Sequence, residues 1–244
     1  MKNQLADKII NDIKKPTRMK RNKIIDDYRS HIKRQHKIAI TFHEAGHAAA
    51  IYLNNKARNL PPIFFQIIFK EMSDVSAYDE LIYEATHDDS VARVEGGRLI
   101  ESLPYTVDGL AHKLMDHNEA MAPLVRDYII AFEADIINLL IGPLTEAKFV
   151  YNRDDELFNQ QLVNLNSLEN YGGGSDLALA REYIESFSES KELQDKKLDE
   201  LFAVACDFVS NYSNWKAITK LANYILESNK NIISCEEVVL VVQS

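Results

Sequence analysis

The stretch His43-Glu44-Ala45-Gly46-His47-Ala48-Ala49-Ala50-Ile51 decides how the chain is read. Ala45, Ala48, Ala49, Ile51 and Leu53 favour or tolerate a helix, and no proline falls between Pro16 and Pro61. The spacing predicts a helix from about Ala39 to Asn54 that stops before Pro61-Pro62. On it, His43 and His47 lie one turn apart on the same face, where two imidazoles can share one metal ion. Glu44 is angled to reach a metal-bound water rather than the metal. Two imidazoles on zinc with a glutamate as base is the zincin arrangement. The bland alternative is a chance coincidence of three common residues.

On the N-terminal side, Pro16 should divide the chain into helices over roughly 3–14 and 18–36. After the metal helix, the β-branched and aromatic run Ile63 to Phe69 predicts a strand, and a second near Val91 to Ser102 could pair with it. Residues 70–121 are acidic and irregular. Helical periodicity then dominates. A long helix is expected from Pro123 to about Tyr151, kinked or split at Gly142-Pro143. Residues 152–174 look like a loop ending in Gly172-Gly173-Gly174, followed by helices over 175–187, 190–212 and 215–228. Ser234 with Glu236 and Glu237 resembles a further helix start. The expected fold is mostly α, with a small β element after the metal helix. Its parts would be a basic helical arm, 1–37, and one domain, 38–244, with an acidic insert at about 70–126.

Composition sets limits. With 46% hydrophobic and 27% charged residues, the 244-residue chain reads as a globular protein able to bury a core. No apolar run approaches bilayer-spanning length, the longest candidates being Ile63 to Phe69 and Val238 to Val242. The N-terminus lacks the apolar core of a signal peptide, and two cysteines, Cys206 and Cys235, are too few for a disulfide framework. A reducing cytoplasm is the expected compartment. The net charge of −9 conceals an asymmetry: residues 1–37 hold twelve Lys or Arg against four Asp, a balance of +8 that leaves −17 on the other 207 residues. Such an arm can track nucleic acid or an anionic membrane. Tyr28 is its one aromatic residue, so no base-stacking platform is visible, and a solvated helix is the plainer reading.

Two histidines need at least one more protein ligand if zinc is to keep a position open for water. The best candidate is Asp176, presented at a helix start after the glycines of Tyr171-Gly172-Gly173-Gly174-Ser175-Asp176. Glu146 is the rival, with a supporting carboxylate or a surface charge as its plainer roles. His87-Asp88-Asp89 and His112, Asp116 and His117 form further clusters that read more simply as exposed polar groups, as do His31 and His36 in the arm. Tyr171 could touch a substrate or serve in packing, and Trp215 and Phe208 read as core.

Three segments resemble the peptidase domain of the FtsH family, the membrane-anchored AAA+ zinc proteases. His43 to Ala48 matches its His-Glu-x-Gly-His-Ala helix, Ile141-Gly142-Pro143-Leu144-Thr145-Glu146-Ala147 is similar to its Gly-Gly-Arg-Leu-Ala-Glu-Glu helix, and Gly174-Ser175-Asp176-Leu177 with Ala180-Arg181 resembles its Asp turn. The likeness covers about residues 38–242 and implies a zinc metallopeptidase with His43, His47 and Asp176 as ligands and Glu44 as catalytic base. Pro143 stands where the family has arginine, and residues 70–126 are longer and more acidic than the family's segment. The chain shows no Gly-x-x-x-x-Gly-Lys-Ser/Thr phosphate loop and no transmembrane helix. The resemblance therefore implies a stand-alone relative that uses no ATP and cuts flexible or unfolded polypeptides. The Ile63–Phe69 strand, if at a sheet edge, would hold the substrate. Nucleic acid is not an expected partner, and a homo-oligomer is left open. The alternative is a non-catalytic binding or adaptor protein that keeps the fold and a structural zinc site.

Overall fold

Nothing in the sequence interrupts the helix that carries His43 and His47, and in the computed structural model it runs unbroken as α1, Arg18–Ala57. Residues 18–69, 91–103, 122–159, 162–228 and 230–244 are described. The two helices expected over 18–36 and 39–54 are thus one. The physical reason is that Lys37-Ile38-Ala39 contains neither a cap nor a breaker. α1 ends in a Schellman motif: Asn59 takes a left-handed φ of 55°, and Leu60 N–H donates to the Asn55 carbonyl at 2.9 Å.

The chain divides into two units, Met1–Ala39 and Ile40–Ser244. The described part of the first lies in α1, and its residues 25–34 are exposed. The second unit holds strands β1 (Phe65–Phe69) and β2 (Ala92–Gly96), then helix α2 (Ala122–Arg153) and a 3-10 helix (Leu165–Tyr171). Helices α3 (Gly174–Phe187), α4 (Lys191–Ser210) and α5 (Tyr212–Glu227), strand β3 (Ile232–Ser234) and helix α6 (Cys235–Gln243) complete it. The architecture is mostly helical with one small antiparallel sheet, ordered β2-β1-β3. Ile67 pairs with Val94 on one side and Ile233 on the other, and Ile67 and Ile233 are fully buried. β1 is therefore the central strand, which corrects the expectation that Ile63 to Phe69 could receive a peptide: its backbone groups are spent on β2 and β3. Among the described residues the two edge strands of the sheet are β2 and β3.

α2 is the hub of the core. Phe132, Ile136, Ile137, Leu140, Ile141 and Leu144 are completely buried among residues of α3 and α4, including Leu177, Ala180, Tyr183, Leu198, Leu201 and Val209. Each such side chain contributes about 1.5–3 kcal/mol by leaving water. This apolarity makes α2 long and apolar enough to cross a membrane by length and composition, which the expectation of no span-length segment did not foresee, but its most apolar window is 67% buried inside the fold. Nor does Gly142-Pro143 split the helix. Pro143 lacks the N–H that would reach the Leu139 carbonyl, and its ring instead packs beneath Gly173, where an added Cβ would come within 2.7 Å of Pro143 Cβ. Trp215 and Phe208, expected in the core, are half-buried against it. Ser234 opens α6 with a capping box to Glu237.

α1 and α2 touch closely at Gly46, where a Cβ would fall 2.4 Å from Thr145 Oγ1 and 2.7 Å from Thr145 Cβ. Only glycine fits. Gly46→Ala should lower unfolding stability by about 1–3 kcal/mol, the usual size of overpacking, read from the midpoint of chemical denaturation. An unchanged midpoint would mean that the helices are not in this contact.

Candidate metal centre

α1 presents His43, Glu44 and His47 to a cleft of about 350 Å³ that is also lined by Val94, Gly97, Asn138 and Asp176. Each imidazole is held at Nδ1 by an oxygen acceptor and turns its Nε2 toward Asp176. His47 Nδ1 lies 2.9 Å from the Asn138 carbonyl, and His43 Nδ1 lies 3.1 Å from Glu146 Oε2 and 3.2 Å from the Tyr171 carbonyl. These oxygens accept and do not donate, so each Nδ1 carries a proton, and each Nε2 offers a lone pair to a metal once any proton it shares with Asp176 is lost. The His47 ring lies against α2 at Gly142, where an added Cβ would fall 2.2 Å from Nε2. Gly172, at a left-handed φ of 70°, lets the glycine turn pass beside Glu146 and His43, which an added Cβ would meet at 3.1 and 3.2 Å.

Asp176 sits in the first turn of α3, where the positive end of the helix dipole favours a carboxylate. His43 Nε2 and His47 Nε2 are 3.0 Å apart, and Asp176 places Oδ2 3.1 Å from the first and Oδ1 3.3 Å from the second. The three side chains could hold one metal ion and are the one such group among the described residues. The fit can be tested by size. A tetrahedral site with bonds of 2.0–2.1 Å has edges of roughly 3.3 Å, close to the separations seen here. Two imidazole nitrogens and a carboxylate oxygen suit zinc and leave a fourth position open.

The electrostatics reflect this crowding. Burial alone would lower the His43 imidazole, but hydrogen bonds with Asp176 and Glu146 hold it well above its ordinary value. His47 is raised too, its burial outweighed by the Asp176 carboxylate. Asp176 is held far below the usual carboxylate range: burial opposes ionisation, but the two histidines overcome it. Burial pushes Glu44 upward, partly offset by His43, His47 and the Val94 backbone N–H. Glu44 Oε2 is buried and has no hydrogen-bond partner.

The structure brings His43, Glu44, His47 and Asp176 together and keeps Glu146 on the far side of the His43 ring, outside the ligand group. Tyr171 contributes its carbonyl, while its ring packs beside Tyr151 and its hydroxyl is pushed up to about 12, chiefly by burial. His87, Asp88, Asp89, His112, Asp116 and His117 lie outside the described residues. His31 and His36 are exposed on α1. Sequence reasoning missed Asn138. Its carbonyl holds His47, and its side-chain amide is fixed between Asn54 (2.9 Å) and Asn55 (3.1 Å) at the end of α1. The one signal was a pair of adjacent asparagines near the end of an apolar helix. Searches against protein-family models and curated protein sequences give no match.

Asp176→Ala should weaken zinc binding by more than about 100-fold and Glu146→Gln by about 10-fold or less, since the second keeps an acceptor for His43. Competition with a chromophoric chelator measures both, and the reverse order would make Glu146 the ligand. The raised imidazoles must lose protons before they bind metal. Zinc affinity should therefore fall by about 10- to 100-fold per pH unit below the His43 and His47 pKa values, as one or two protons compete. A pH-independent affinity between pH 5 and 7 would contradict this.

Proposed function

We propose that the chain is a zinc-dependent endopeptidase, similar to the FtsH peptidase domain, that cleaves flexible or unfolded polypeptides without ATP. The observation that carries this reading is Glu44 Oε2: a buried carboxylate oxygen, unpartnered and raised in pKa, on the helix that supplies both histidines and in the same cleft. A structural metal site has no use for such a group, whereas a general base needs a free oxygen and a pKa nearer neutrality.

His43, His47 and Asp176 would hold the ion, which supplies an acidified water and a polarised carbonyl. Glu44 accepts a proton from the attacking water at Oε2 and returns it to the departing amine, as burial permits once its pKa is raised. Glu146 and the Asn138 and Tyr171 carbonyls keep both imidazoles in the tautomer that leaves Nε2 free. Strand β2 lies along the cleft with Arg93, Val94 and Glu95 at its wall, and can take an extended peptide as an added strand. A cleft of this size accepts a few residues of extended chain and no folded domain.

Glu44→Gln should retain zinc at wild-type stoichiometry and lose at least about 1,000-fold in hydrolysis of an unfolded substrate such as casein, within the range for a general base at a metal site. A Glu44→Gln protein that cleaves at the wild-type rate would eliminate the peptidase reading.

A further inference from the structure

Asp135 is buried on α2, two turns before the Gly142 contact and on the wall of the same cleft, and nothing in the metal chemistry uses it. Its carboxylate takes two successive backbone amides of the chain leaving β2. Leu99 N–H lies 2.9 Å from Oδ1 and 3.0 Å from Oδ2, and Ile100 N–H lies 2.9 Å from Oδ2. The Tyr183 hydroxyl, from the middle of α3, lies 3.1 Å from both Asp135 Oδ2 and the Ile100 carbonyl. Tyr183 is only 1% exposed, with its ring against Phe132. One carboxylate and one phenol therefore join three pieces of chain. α2 carries Asn138 and Glu146, α3 carries Asp176, and residues 97–100 follow directly from edge strand β2.

That turn is held at its other end as well. Gly97 N–H donates to the Phe64 carbonyl at 3.0 Å, and Gly97 itself, at φ 81°, lies so close to α1 that a Cβ would fall 2.4 Å from Ile51 Cδ1. Ile51 is one turn beyond His47. A buried charge is retained only where hydrogen bonds repay its desolvation, and here the repayment comes from amides whose position fixes one wall of the cleft.

We propose that Asp135 and Tyr183 are positioning residues that set the distance of strand β2 from the metal helix, and so govern how tightly an extended peptide is held without taking part in the bond-breaking step. The inference rests on the reading of β2 as the peptide-binding edge. The hydrogen bonds of the Asp135 carboxylate and the Tyr183 hydroxyl go to residues 99 and 100 and to each other and not to His43, Glu44, His47 or Asp176, so loosening the clamp should move substrate binding and spare both metal and chemistry.

The test uses Tyr183→Phe, which removes a single hydroxyl from an otherwise intact ring, and Asp135→Asn, which turns an amide donor toward two backbone N–H groups. On an unstructured peptide, Tyr183→Phe should raise KM by about fivefold, the size of one net hydrogen bond. Asp135→Asn should raise it by about tenfold or more, with kcat within about twofold and zinc content unchanged in both. Amide hydrogen exchange on the zinc-loaded proteins should quicken over residues 92–100 and stay at wild-type rates in α4 and α5. A variant with wild-type KM, or with kcat reduced at unchanged KM, would overturn the positioning role. So would exchange that quickens throughout the fold, since Tyr183 would then be ordinary core. If the wild type neither binds nor cuts peptide, the peptidase reading fails by itself. The exchange pattern still decides whether the clamp exists.

Discussion

The close crossing of α1 and α2 is the contact on which the rest depends. It requires glycine on both helices: Gly46 receives Thr145, and Gly142 receives the His47 ring. A methyl group at either position would push the helices apart, and the separation matters because the two helices divide the work. α1 carries the imidazoles and Glu44, while α2 carries the carbonyl of Asn138 and the carboxylate of Glu146 that orient them. α2 is in turn held by the apolar core that it shares with α3 and α4. Site geometry is thus fixed by core packing and not by loops, the arrangement expected where ligand atoms must lie within a few tenths of an ångström.

α3 completes the site from a third direction. Its first turn delivers Asp176, and its buried face, Leu177, Ala180 and Ile184, locks that turn onto the same core. The glycine turn before it passes close enough for the Tyr171 carbonyl to reach His43 while Gly172 avoids the ring. The polar groups of the centre are therefore nearly all spent on one another. Glu44 Oε2 is the exception, and an unsatisfied buried oxygen beside a group of side chains that could hold a metal is the kind of local cost that function retains.

Much of this was legible in the residues. His43, Glu44 and His47 are close in sequence, so helical periodicity alone placed them on one face. Asp176 was legible because glycines followed by a carboxylate at a helix start can present that carboxylate at a defined angle. The capping box at Ser234 and the strand at Phe65–Phe69 followed from local chemistry. What the residues hid is tertiary. Whether β1 sits at the centre or the edge of the sheet depends on β3, a three-residue strand more than 160 residues away that has no pattern of its own. The unbroken course of α2 through Pro143 depends on a turn packed against the proline ring. The backbone carbonyls of Asn138 and Tyr171 carry no side-chain signature at all, and the Asp135 carboxylate looks in sequence like any charge on a helix.

The central claim is that His43, His47 and Asp176 close around one ion with Glu44 beside it, and the most direct measurement is an anomalous-difference map from crystals grown with zinc. The account predicts a single strong peak within bonding distance of His43 Nε2, His47 Nε2 and an Asp176 oxygen, about 2.0–2.2 Å from each, with a solvent ligand facing Glu44. A peak bound through Glu146, a fourth protein ligand in place of solvent, or no peak between α1 and α3 would contradict it.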